Sequence, residues 1–123
     1  MASPLVQSLH SGLDKVQKGA GKTIADGAAV HDLNLEMRDL VRSVTDGAVS
    51  VEEDEIIESI RLLHDLEDID VEGASALTLA GLKHYIEEME KSGRSVEGQN
   101  IVLVLTGKNI DPSRLESILS SSP

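Results

Sequence analysis

NIVLVLTGKNIDPSRLESIL, residues 100–119, packs three signals into one stretch. Ile101 to Leu105 are five consecutive apolar residues. A run apolar on both faces fits a central parallel strand covered from both sides. Thr106, Gly107, Lys108 and Asn109 then form a turn. Asp111 is placed to cap a helix with Pro112 at its first position, and Leu115, Ile118 and Leu119 supply an apolar stripe. Strand, turn and helix in this order are the repeating unit of an α/β fold.

The same unit recurs upstream. AVSV ends in the alternating pair Val49 and Val51, and EEDEIIESIRLLHDL follows as a helix with Glu52 to Glu55 at its start. Negative charge is favourable there because the helix N-terminus carries partial positive charge. Ile56, Ile60 and Leu63 make its apolar stripe. DIDVEG alternates Ile69 with Val71, and from Gly73 the pattern turns helical up to a stop at Gly93. The first turns of that helix are Ala74, Ser75, Ala76, Ala80 and Gly81, slim enough for close approach.

Before these units, Leu5, Leu9, Leu13 and Val16 recur at helical spacing, with Ser3 and Pro4 at the start. Met37, Leu40, Val41 and Val44 do the same after Asp32 or Asn34. The reading is one incomplete α/β domain over residues 1–123: a helix at 3–18, a loop at 19–32, a helix and strand–helix repeats at 33–119, and a tail at 120–123. It predicts a partial parallel sheet of about three strands flanked by helices. A sheet whose best strand is apolar on both faces wants more neighbours than these.

The loop includes KGAGKTIADGAAV, residues 18–30, which partly imitates a phosphate-binding loop. Gly21, Lys22 and Thr23 match the end of that motif, but its first glycine would fall on Val16. An amphipathic helix precedes the stretch where a buried strand is required. Gly19 and Gly21 read more simply as a helix stop.

Composition narrows the classes further. Eleven basic against 22 acidic residues give a net charge of −11. Such a surface repels nucleic acid and anionic membrane, so neither is expected as a partner. There is no cysteine for a disulfide or thiolate site, and no apolar run of membrane-spanning length. A soluble, cytoplasmic protein is the expectation. With no Phe or Trp and only Tyr85, the core must be aliphatic. His10, His31, His64 and His84 are scattered without metal-ligand spacing, and the acidic run from His64 to Glu72 lacks the calcium-loop pattern. No metal site is expected.

In open α/β sheets, ligands sit beyond the carboxyl ends of the strands. That rule selects Glu72 with Gly73, and Thr106 with Gly107. The plainer alternative is that Glu72 and Thr106 only cap the helices after them.

Four segments, taken together, resemble fold-type II pyridoxal-phosphate enzymes: threonine and serine dehydratases, serine racemase, threonine synthase and their relatives. Residues 100–119 are similar to that family's last strand, turn and helix. DIDVEGASALTLAGL resembles the strand leading into Glu and an Ala-rich helix, TIADGAAV a loop beside the cofactor, and VSVEEDEIIESIRLL the acidic helix start between them. The order is the family's, and the likeness runs from about Ser3 to Leu119. The fold it implies is the C-terminal portion of the large domain.

The resemblance also implies roles. Thr106 takes the position whose hydroxyl or thiol bonds the pyridine nitrogen, followed by Gly107. Glu72 takes that of a carboxylate near the ring. Gly27, with no Cβ, takes that of backbone passing close to it. Two departures stand out: Lys108 replaces a second glycine, and Gly73 follows Glu72 where proline is usual. No catalytic residue is assigned. None of Lys15, Lys18, Lys22, Lys83, Lys91 and Lys108 sits in the Ser-x-Lys setting of the family's Schiff-base lysine, and no glycine-rich phosphate loop is found. The expectation is a lyase segment that binds pyridoxal phosphate only when the remaining part is supplied, and is inactive alone. An upstream chain, a full-length relative or a second copy would be the partner. The alternative is a non-catalytic interaction module built on the same half-fold.

Overall fold

The structure is a computed structural model and describes residues 4–11, 22–29 and 34–121. Five α-helices are assigned there: α1 (Pro4–Ser11), α2 (Leu35–Val44), α3 (Glu53–Glu67), α4 (Gly73–Lys91) and α5 (Pro112–Ser120). A 3-10 turn at Asp26–Ala28 precedes α2. The second half of the helix expected at 3–18, and both ends of the 19–32 loop, lie outside the described residues.

Local chemistry sets the helix ends. Asn34 caps α2 by accepting from the Met37 N–H at 3.0 Å. At the start of α3, Glu55 accepts from the Glu52 N–H at 2.7 Å, and this bond, with His84 next in effect, holds the Glu55 carboxyl below its ordinary range. Asp68 closes α3 in the left-handed region at φ 54°. Gly93 follows α4 at φ 72°. Asp111 accepts from the N–H groups of Ser113 and Arg114 at 2.8 and 3.1 Å, with Pro112 opening α5.

The core lies where α3 packs on α4 and α5. Ile56, Ile60 and Leu63 of α3 meet Val71, Ala76 and Ile118 in a buried aliphatic cluster. Leu105 and Ile110 pack against it from the extended chain before α5. The C-terminal end of α5 is tied down by Arg61, whose Nε donates to the Ile118 carbonyl at 2.9 Å while its Nη2 reaches the Ser121 carbonyl and hydroxyl.

Two expectations need correction. The partial parallel sheet is not formed: no strand is assigned among the described residues. The segments at 49–51, 69–71 and 101–105 carry no ladder, and one backbone bond, from Glu72 N–H to the Gly107 carbonyl at 3.1 Å, links the ends of the last two. Alternating apolar residues specify an extended backbone, but a sheet also needs a neighbour in register, and these segments do not supply one for each other. Accordingly only Leu105 of the run 101–105 packs against the core, while Ile101, Val102 and Val104 are 42%, 82% and 62% exposed.

The second correction concerns α2. Its residues Met37, Leu40 and Val44 are exposed, and the buried side chain is Arg38, paired with Asp39 at 2.7 Å. Arg42 joins α2 to α1 by donating to the Ser8 carbonyl at 3.3 Å, a cation at the negative end of a helix.

Candidate functional site

The N-terminal turn of α4 is the meeting point of the four expected site residues. Glu72 is its N-cap residue, half-buried. Its Oε1 accepts from the Asn109 N–H at 3.0 Å, and its own N–H donates to the Gly107 carbonyl. The turn 106–109 therefore wraps around the carboxylate. Gly107 fits because it has no side chain: a Cβ there would lie 2.8 Å from Glu72 Oε1. Asn109 uses its backbone only in this contact, so the site draws on turn geometry as much as on side-chain identity.

Thr106 is exposed, with its hydroxyl 3.5 Å from Ser75 Oγ. Ser75 itself is 1% exposed and bonds Gly107 twice, accepting from its N–H at 2.7 Å and donating to its carbonyl at 2.8 Å. The loop containing Gly27 lies on the other side of the α4 start. A Cβ on Gly27 would reach Ala74 Cβ at 3.4 Å, and one on Gly73 would fall 2.2 Å from the Ile24 carbonyl oxygen. Arg114 at the start of α5 closes this side with an ion pair to Asp26 at 3.2 Å.

A cleft of about 470 Å³ opens here, lined by Ile24, Asp26, Glu72, Gly73, Asn109 and Arg114 among others. Thr106, Gly107 and Gly27 stand outside its lining. A larger cleft, about 1320 Å³, lies between α2 and the C-terminal half of α4 and touches none of the four. Lys108 is exposed. Lys83 and Lys91 are ion-paired with Glu58 and Glu87 at 2.6 and 3.3 Å, away from the site. The described histidines stay apart: His64 bonds Asp70 at 2.8 Å and His84 bonds Glu55 at 2.9 Å.

Ser75 and Asn109 were not singled out by the sequence reading. A serine within ASALTLAGL looks like one more small residue of a slim helix, and its signal is only that it is the one polar side chain in the first turn.

At this rim stand an exposed, neutral hydroxyl, Thr106, and a carboxylate, Glu72, with one oxygen held by the Asn109 N–H. Helices α3, α4 and α5 pack around an extended apolar segment, and this rim lies at its carboxyl end.

The family can be named. Residues 1–107 match the model of the pyridoxal-phosphate dependent enzyme family, and the chain belongs to it. It is 31% identical over 120 residues to L-threonine ammonia-lyase of Thermotoga maritima, covering 94% of this chain and 27% of that protein. It is 34% identical over 102 residues to serine racemase of Arabidopsis thaliana, covering 81% and 29%. In fold it is similar to the crystal structure of T.th. threonine deaminase, with a TM-score of 0.69 and 29% identity over 88% of this chain and 36% of that one. The chain thus spans under a third of the length of these two curated relatives.

Proposed function

We propose that this chain is the closing segment of a pyridoxal-phosphate-dependent amino-acid lyase of the threonine/serine dehydratase kind. In this reading the anchoring lysine and the phosphate loop are supplied from outside these 123 residues. The observation that carries the reading is the convergence of Thr106, Gly107 and Glu72 on the first turn of α4. The matches to threonine ammonia-lyase and threonine deaminase support the reaction class.

The cofactor, once bound, supplies the electron sink for breaking bonds at the amino-acid α-carbon. Thr106 would hydrogen-bond the ring nitrogen through its hydroxyl. A neutral donor would leave that nitrogen less cationic than a carboxylate partner, which suits β-elimination. Glu72, whose carboxylate is held by the Asn109 N–H, would stand near the ring. Gly27, in the Asp26–Ala28 turn beside α4, would let backbone pass close to the ring. Alone, the segment is inactive, because none of its six lysines sits in the required setting.

The uncovered segment 101–105 gives a second reading its support. Its exposed Val102 and Val104 fit an interaction module that docks on a partner, a full-length relative or another copy, without catalysis.

Titrating pyridoxal phosphate into the purified chain, with and without the polypeptide encoded upstream, tests the proposal. The expected result is a visible absorbance band of bound cofactor and ammonia release from threonine or serine only in the mixture, with the band altered by Thr106→Val. A band with the isolated chain overturns the claim that the lysine comes from elsewhere. Tight association without a band favours the interaction module.

A further inference from the structure

We propose that Ser75 is the positioning residue for the Thr106 hydroxyl, a function assigned on top of the reading above and resting on it. A serine in the first turn of a helix ordinarily turns its hydroxyl to nearby backbone of its own helix. Ser75 instead bonds a residue 32 positions away, accepting from the Gly107 N–H at 2.7 Å and donating to the Gly107 carbonyl at 2.8 Å. It does so while 1% exposed, so water does not compete for either bond.

The consequence for Thr106 follows from peptide planarity. The Gly107 nitrogen lies in the peptide plane that begins at the Thr106 Cα, so holding that nitrogen restrains the backbone from which the Thr106 side chain projects. Thr106 has no backbone hydrogen bond of its own among the described residues. The clamp on its neighbour therefore narrows the Thr106 φ and ψ range, on which its preferred rotamer depends.

Proton inventory points the same way. A serine hydroxyl has one proton to give, and Ser75 gives it to the Gly107 carbonyl. The contact between Ser75 Oγ and Thr106 Oγ1, at 3.5 Å, is long. With the Ser75 proton committed, Thr106 can only be the donor in that contact, and at 3.5 Å the contact is weak enough for a better acceptor, as a ring nitrogen would be, to take the Thr106 hydroxyl's hydrogen bond instead. Glu72 supports the arrangement by donating its N–H to the same Gly107 carbonyl.

Nuclear magnetic resonance on the 123-residue chain tests this without cofactor. In the unmodified protein the Gly107 amide should exchange with solvent more slowly than the amides of Thr106 and Lys108. Ser75→Ala should speed Gly107 exchange roughly tenfold, the loss of one sound hydrogen bond. It should leave α3 amides unchanged, since alanine is at least as good a helix former within α4 and the α3–α4 core is retained. The three-bond couplings that report the Thr106 side-chain rotamer should move toward an average of several states. Equal exchange of the three amides in the unmodified protein overturns the proposal. So do unchanged Thr106 couplings in Ser75→Ala, or faster exchange spread evenly through α3. Failure of the lyase reading shows separately, as absence of the cofactor band with the unmodified chain and its partner.

Discussion

The Glu72 carboxylate rests directly against the α-carbon of Gly107, so that a Cβ built on Gly107 would sit 2.8 to 3.0 Å from the Glu72 carboxylate atoms. The contact joins the cap of one helix to the turn that precedes another, and it makes the glycine and the acid a single unit.

Gly107→Ala should therefore cost little in fold but much in arrangement. The atoms in the way are the end of a flexible side chain, which can swing aside. We expect about 1 kcal/mol of lost stability, within the usual range for a mild overpacking. The diagnostic change is loss of protection at the Asn109 amide, whose acceptor on Glu72 would be displaced. Hydrogen exchange at Asn109 is the measurement.

Gly73→Ala should be far worse. Its Cβ would meet backbone, the Ile24 carbonyl oxygen at 2.2 Å and the Ala25 nitrogen at 2.9 Å. Backbone cannot rotate out of the way as a side chain does. The loop at 22–29 must lift off α4, and about 3 kcal/mol is expected, the upper part of the range for overpacking. Urea denaturation gives the value, and faster proteolysis within residues 22–29 locates the damage.

Removal of the α5 tether is milder. Arg61→Ala removes the guanidinium donor from the Ile118 and Ser121 carbonyls, while the Ile118 carbonyl keeps the Ser121 hydroxyl at 3.1 Å. The expected loss is about 1 kcal/mol, typical of a hydrogen bond near solvent. Exchange should quicken in the last turn of α5 before it does in α3.

His64 should make stability depend on pH. Its hydrogen bond to Asp70 raises its pKa above the ordinary 6.5, with Asp65 and Asp68 adding to the effect. A raised folded-state value means that protonated His64 favours the folded chain. That contribution is complete below the unfolded pKa and is lost as pH rises through the folded one. The urea midpoint should fall across the neutral range, and Asp70→Asn should flatten the fall. An equally steep fall in that variant would show that another group is responsible.

The helices were the most legible part of the fold. Acidic residues at 52–55, Gly93, and the pair Asp111 and Pro112 are local chemistry, written beside the helix ends they set. The contact of Glu72 with Gly107 and Asn109 joins the ends of two segments that read as extended in the sequence, but the strand-end rule that paired them presumes a sheet that does not form among the described residues. Ser75 was not legible, because its role depends on a backbone 32 residues away and its own neighbours are ordinary small residues. The expected sheet failed for a related reason: Ile101 to Leu105 encode an extended shape but not the neighbour that would pair with it. For α2, helical spacing was legible, but the side facing the protein belongs to Arg38, and spacing alone does not say which side that is.

The bare backbone of residues 101–106 also bears on how the molecule behaves in solution. Unpaired among the described residues, its N–H and C=O groups can pair with a like edge, and its valines reward that pairing. Mutual repulsion between molecules each carrying eleven excess negative charges opposes such pairing. Since dissolved salt weakens that repulsion while leaving apolar attraction intact, ionic strength acts as the dial between dispersed and clustered material.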